Sequence, residues 1–247
     1  MKHIITTLSI FTLLISCKDN KTTTEETTME TKKETTLKEV LDDKKNTFEA
    51  TAPEEKLAIY AEGIADVQNS GIYEKAKKVG DKAPNFKLKN ALGKEITLAD
   101  YLKKGPVVLT WYRGGWCPYC NLTLQRLQEE LPNFNAAGAN LLALTPEVPD
   151  KSMSTKEKHD LQFEVLSDVQ NKIGKEYGII YKLTDAVAES YQKSFGLHEF
   201  NGDESNELPL AATYVIDTNG IIRYAFLDAE YRNRAEPSEI IKVLNEL

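Results

Sequence analysis

Two of the chain's three cysteines, Cys117 and Cys120, close the stretch VVLTWYRGGWCPYC at residues 107–120. A β-branched and aromatic run stops there at Gly114 and Gly115, and the cysteines follow at once. If Cys117 opens a helix, its sulfur lies beside unpaired backbone N–H groups and the positive end of the helix dipole. Both favour thiolate over thiol. In such motifs a thiol pKa falls from about 8.5 to roughly 3.5–7.5. Pro118 occupies the first turn, where its missing N–H costs no hydrogen bond, and Cys120 follows on the same face. A thiolate that attacks a peroxide or a disulfide therefore has a partner at hand for a Cys117–Cys120 bond.

Two other uses compete. A zinc site needs four ligands, and with Cys17 read as a lipid site only this pair remains, His159 and His198 being distant and unpatterned. A structural disulfide suits an oxidising compartment, yet a bridge closing so short a loop restricts the unfolded chain little. Redox catalysis, with neither metal nor cofactor, is the favoured reading. Arg113 stands where a guanidinium would stabilise a thiolate or a leaving hydroxide, although a surface arginine after a strand has the same context. Trp116 and Tyr119 either flank the sulfurs or cover the sheet edge. Arg223 reads as a solvated strand residue, Asp217 as the start of a hairpin turn, and His159 and His198 as surface or loop histidines.

The elements that must hold this pair are legible around it. PVVLTWY is a continuous apolar run of the kind expected for a central strand buried on both faces, and catalytic groups in open α/β sheets gather at the carboxyl ends of such strands. PYCNLTLQRLQEEL continues as a helix, followed by a strand at ANLLALT, a polar helix near 153–161 and a strand at EVLSD. Helices are expected around 171–177 and 185–195, then a hairpin ATYVIDTNGIIRYAFLD turning at DTNG, then a closing helix EPSEIIKVLNEL. RNRAEP before it reads as a cap with proline at the helix start. The pattern implies a mixed sheet with helices on both faces.

Upstream, residues 36–77 form a helical arm. Leu57, Tyr60, Ile64 and Val67 share one face of its second helix, and nothing in the arm suggests chemistry. Residues 17–35 are almost wholly Thr, Lys and Glu, too polar to offset the entropy of ordering, and read as a disordered tether. Residues 1–16 carry Lys2 and an apolar run from Ile4 to Ile15, too short for a permanent span, and read as a signal peptide. Its LLISC ending resembles the lipobox of bacterial lipoproteins, which implies lipidation at Cys17; an ordinary signal with an incidental cysteine is the alternative. The expected address is a bacterial membrane, facing the periplasm or the cell surface. The net charge of −7 argues against nucleic acid, whose phosphates need a basic surface.

VGDKAPNFKL, PVVLTWYRGGWCPYCNLTLQRLQ and ATYVIDTNGIIRYAF together resemble the alkyl hydroperoxide reductase/thiol-specific antioxidant family of the thioredoxin superfamily. More narrowly they resemble its peroxiredoxin-like members with an RGxWCPYC motif. SGIYEKAKKVGDKAPNF and DAEYRNRAEP extend the likeness to about residues 55–247. The resemblance implies a thioredoxin-like fold over 78–247 and a thiol-dependent peroxidase that reduces hydrogen peroxide or organic hydroperoxides. It also implies recycling by a thioredoxin-like reductant. A thiol–disulfide oxidoreductase acting on protein disulfides and a non-enzymatic lipoprotein with a stable bridge are the other readings, and a homodimer stays open.

The family's patterns fit in two registers. Peroxiredoxins usually show Pro-x-x-x-Thr/Ser-x-x-Cys; laid on this chain it puts Arg113 in the proline place, Cys117 in the Thr/Ser place and Cys120 in the peroxidatic place. The arginine that usually opens the later strand falls on Ala211. Thioredoxin's Trp-Cys-x-x-Cys fits 116–120 and makes Cys117 the nucleophile and Cys120 the resolver. Its cis-proline position falls on Ala212, ahead of Thr213, so these two are expected to flank the site.

Overall fold

The computed structural model describes residues 35–247. The expected signal peptide, Cys17 and the tether up to residue 34 lie outside the described residues. Val107–Trp111 forms strand β1, and all five of its residues are buried, as an apolar run between two covering layers requires. Its side chains alternate between two cores. Leu109 and Trp111 meet Leu142, Leu144 and Tyr214 on one face, while Val108 meets Leu141, Ala143 and Val215 on the other.

Strands β2 (Asn140–Thr145) and β3 (Glu164–Ser167) extend the sheet in parallel on one side of β1. Strands β4 (Ala211–Ile216) and β5 (Ile222–Asp228) complete it with antiparallel pairing on the other, giving the order β3-β2-β1-β4-β5. Val108 pairs with Leu141, and Thr110 with Thr213. This is the mixed, thioredoxin-like sheet expected from the sequence. The β4–β5 hairpin turns at Asp217, whose carboxylate accepts from the N–H groups of Asn219 and Ile221, both at 2.9 Å. The second carboxylate oxygen meets Arg223 Nη2 at 2.6 Å. Arg223 is thus paired to the turn rather than merely solvated.

The helices α1 (Leu37–Thr51) and α2 (Glu54–Asn69) come from the arm. They are followed by α3 (Pro118–Glu129), α4 (Pro149–Lys158), α5 (Asp185–Phe195) and α6 (Pro237–Leu244). Helix α4 starts four residues earlier than expected, because Pro149 takes its first turn and Ser152 and Thr155 are buried. Helix α3 buries Cys120, Leu124 and Leu127, a spacing that makes one continuous apolar stripe. That stripe lies in the core that also takes Leu37 and Leu41 of α1 and Ile240 and Leu244 of α6. The first turn of α1 has a capping box between Thr36 and Glu39, and its Leu37 and Lys38 N–H groups donate to the carboxylate of Glu236, each at 3.1 Å. Among the described residues no helix is long and apolar enough to cross a membrane.

Helix α1 is therefore part of the core. Leu37→Ala, at a side chain only 1% exposed, is expected to lower the unfolding free energy by about 2–5 kcal/mol, read from the urea midpoint at unchanged slope.

Candidate active site

At the carboxyl end of β1 the backbone turns through Gly114 and Gly115. A side chain at Gly114 (φ 154°) would run into the Trp116 indole at 2.2 Å, and one at Gly115 into Thr155 Oγ1 at 2.2 Å. The turn is pinned from both sides: Gly115 N–H donates to Glu147 Oε1, and Asn121 Nδ2 donates to the Gly115 carbonyl, each at 2.9 Å. Cys117 then takes the N-cap position of α3, with Pro118 in the first turn. Its sulfur therefore sits where the helix dipole is positive. Both cysteines are free thiols and fully buried.

Arg113 is not the surface arginine that its sequence context allowed. It is 3% exposed, and its Nη2 donates to Cys117 Sγ at 3.2 Å while Nη1 donates to the Tyr191 hydroxyl at 3.0 Å. Its guanidinium carbon lies 3.8 Å from the centre of the Tyr231 ring, 5.1 Å from Trp116 and 5.4 Å from Tyr191. Among the described residues no carboxylate pairs with it. Burial alone would raise the Cys117 thiol, but the hydrogen bond with Cys120 and the charges of Arg113 and Arg234 hold it well below the ordinary thiol range. Cys120 goes the other way: burial, then the hydrogen bond and charge of Cys117, push it well up. Of the two sulfurs, Cys117 is the one held as thiolate.

Trp116 stacks on Phe195 with ring centres 5.2 Å apart, and Tyr119 meets Tyr231 edge-on at 5.7 Å. Together with Arg113 and Pro118 these rings line a cavity of about 260 Å³, whose lining also includes Phe48 and Tyr60 of the arm and the nearby Lys44 and Lys56. The arm, which showed no chemistry in the sequence, thus walls the site, because its aromatic face has nowhere drier to go. Larger clefts of about 610 and 540 Å³ lie beside Arg232 and Lys175; a cysteine lines none of the three, and Arg113, which lines the aromatic cavity, joins it to Cys117 Sγ. Thr213 meets Thr110 through their hydroxyls at 2.9 Å. Ala212, one residue before it, packs in the core on the opposite face from the cysteines. Strand alternation separates it from the site it was expected to flank.

Several groups at the site had no signal of their own in the sequence. Arg234 Nη2 donates to Cys120 Sγ at 3.2 Å; its only mark was its place in RNRAEP. Tyr191 and Tyr231 come from distant segments. Glu147 is fully buried at the end of β2, and burial raises its carboxyl to about 7 against the opposing pull of the Gly115 N–H. The two histidines stay outside: His159 Nδ1 lies 3.1 Å from Gln125 Nε2, and His198 Nε2 lies 2.9 Å from Asn206 Oδ1. Among the described residues no group of three or more His, Cys, Asp or Glu is arranged to hold a metal.

A strand–Gly-Gly–Cys-x-x-Cys–helix turn on this sheet, with one sulfur held as thiolate, defines a thioredoxin-superfamily thiol enzyme. Residues 79–225 match the AhpC/TSA family, and the chain belongs to that family, which makes it a peroxiredoxin-type, thiol-dependent oxidoreductase. It is 29% identical over 172 residues to the chloroplastic peroxiredoxin Q of Oryza sativa subsp. japonica, covering 68% of this chain and 67% of the relative. It is also 29% identical over 154 residues to the thiol-disulfide oxidoreductase ResA of Bacillus cereus, covering 61% of this chain and 87% of that protein. The crystal structure of peroxidoxin BcpB from Mycobacterium tuberculosis shares the fold with a TM-score of 0.54 at 19% identity, over 69% of this chain and 97% of that one.

The thiolate is the reactive form of cysteine, so an acid-shifted thiol keeps its full alkylation rate below the pH at which an ordinary one, at about 8.5, has lost it. Iodoacetamide labelling of Cys117, followed site by site with mass spectrometry, is expected to stay on its plateau at neutral pH and fall only in acid. Arg113→Met is expected to move that fall toward alkaline pH, slowing labelling on its acid side by about tenfold for each pKa unit lost.

Proposed function

We propose that the protein is a thiol peroxidase in which Cys117 attacks the peroxide and Cys120 resolves it, with a thioredoxin-type dithiol as the recycling donor. The observation that carries this reading is the buried Arg113 guanidinium on Cys117 Sγ at 3.2 Å, with no carboxylate among the described residues competing for it. Cys117 thiolate attacks the distal peroxide oxygen; the S–O bond forms, the O–O bond breaks, and the departing alkoxide or hydroxide takes a proton from solvent. Arg113 lies where that negative charge develops, and its Nε is a buried donor without an acceptor. Cys120 then attacks the sulfenic sulfur; the S–S bond forms and hydroxide leaves with the Cys120 proton as water. The donor dithiol reopens the disulfide by exchange.

The aromatic wall beside Arg113 supports organic hydroperoxides among the substrates, since apolar pockets take apolar groups. The Trp-Cys-x-x-Cys register and the likeness to ResA favour a second reading, exchange with protein disulfides. Stopped-flow mixing of the reduced protein with hydrogen peroxide, cumene hydroperoxide and a protein disulfide separates the two. Faster oxidation by the peroxides is expected, and faster reaction with the disulfide would replace the first reading by the second. Cys117→Ser is expected to abolish the first oxidation, and Cys120→Ser to keep it but stall at the sulfenic acid or a mixed disulfide. Loss of the first step in Cys120→Ser, with retention in Cys117→Ser, would assign the roles the other way round.

The address rests on the sequence, through the LLISC ending at Cys17 and the polar tether after it. Cys17→Ser is expected to move the protein from the membrane to the soluble fraction with its peroxide kinetics intact, and retention on membranes would refute the lipid anchor.

A further inference from the structure

The segment between β5 and α6 reads in the sequence as an approach to the last helix, but in the structure it closes over both sulfurs. Tyr231 lays its ring on Arg113. Arg232 ties the segment down, donating to Glu230 through Nε at 2.7 Å and to Glu49 of α1 through Nη1 at 3.0 Å. Arg234 is aimed by two backbone carbonyls: its Nη1 donates to those of Tyr231 and Asn233. Its Nη2 is left to reach Cys120 Sγ at 3.2 Å. Among the described residues no carboxylate pairs with it. Each sulfur of the pair therefore has a guanidinium of its own, Arg113 for Cys117 and Arg234 for Cys120.

We propose that Arg234 is a catalytic residue of the second half of the cycle, stabilising the negative charge on Cys120 Sγ both when it attacks and when it leaves. The inference rests on Cys117 being the sulfur oxidised first. In the reduced pair the proton stays on Cys120, because burial and the neighbouring Cys117 thiolate outweigh the pull of Arg234 and Arg113. Oxidation of Cys117 to the sulfenic acid removes that neighbouring charge. The pull of Arg234 remains, so charge can develop on Cys120 as it attacks Cys117 Sγ. The S–S bond forms, the Cys117 S–O bond breaks, and the hydroxide leaves with the Cys120 proton as water. In the return step a donor thiolate attacks Cys117 Sγ, the S–S bond breaks, and Cys120 leaves as a thiolate beside Arg234. The donor's second thiol then attacks the mixed disulfide, freeing Cys117 as the thiolate and giving its own proton to Cys120.

Arg234→Met and Arg234→Lys test this, with three rates read on the same protein. These are sulfenic acid formation at Cys117, its conversion to the disulfide, and the opening of the preformed disulfide by dithiothreitol. Arg234→Met is expected to slow the second and third by about ten- to a hundredfold, the factor carried by one charge-assisted hydrogen bond. The first step, served chiefly by Arg113, is expected to slow by less than about threefold, a minor share of one pKa unit. Sulfinic acid should then accumulate on Cys117 at peroxide levels that leave the native protein as a disulfide. Arg234→Lys, which keeps a cation, should recover most of the lost rate. Unchanged second and third steps in Arg234→Met would overturn the proposal. So would equal slowing in both variants with a matching drop in melting temperature, which marks a brace for the segment. A native protein whose Cys117 never reacts with peroxide refutes the peroxidase reading instead, and the dithiothreitol step still decides the role of Arg234.

Discussion

A buried cation with no carboxylate partner among the described residues organises this site. Taking a guanidinium out of water costs several kcal/mol unless opposite charge and hydrogen-bond acceptors replace the lost hydration. Around Arg113 the replacements are the Cys117 sulfur, the Tyr191 hydroxyl and the face of Tyr231. Ring faces can share a cation but cannot neutralise it, so the sulfur is left as the counter-charge. The same contact thus does two jobs: it makes burial of Arg113 tolerable and, with the hydrogen bond from Cys120 and the charge of Arg234, keeps Cys117 ionised. Neither residue can be understood without the other.

The fold is arranged to make that contact unavoidable. Strand β1 is buried along its whole length, so its last residues have no freedom to drift. The Gly-Gly turn leaves no room for side chains between Trp116 and Thr155, and the N-cap of α3 fixes the direction of the Cys117 side chain. Opposite, the β5–α6 segment is held by Arg232 to Glu230 and to α1, and α1 in turn donates its Leu37 and Lys38 N–H groups to Glu236. Arm, segment and cysteine helix therefore share one set of ties.

Much of this could be read before any coordinates. The central strand, the helix that begins at the cysteines and the hairpin at DTNG follow from apolar period and turn chemistry, which are local. The assignment of Arg113 was only half legible: its distance from Cys117 in the chain is short, but its burial depends on Tyr191 and Tyr231, which no local pattern announces. Arg234 lies 114 residues from the sulfur it touches, and an arginine in a polar stretch reads as solvated wherever it is. The arm's helical face of Leu57, Tyr60, Ile64 and Val67 was legible from its spacing, but that Phe48 and Tyr60 line the cavity beside Arg113 is a tertiary fact. Ala212 was misplaced for a different reason: the family pattern supplies a position, while strand parity decides which face that position serves.

Glu147 adds a thermodynamic consequence. Its carboxyl, ordinarily near 4.3, holds its proton up to about 7 in the fold, so between those values the native chain binds more protons than the unfolded one. By linkage, its contribution to stability is greatest in acid and declines as the pH rises toward 7. Cys117 has the opposite sign: its depressed pKa means the unfolded chain holds the extra proton, so its contribution is full in alkali and shrinks as the pH falls. Near neutrality folding draws a proton toward a carboxyl and expels one from a sulfur in the same small volume. The two slopes oppose each other, and the molecule can carry a thiolate poised for attack without its stability being tied steeply to pH.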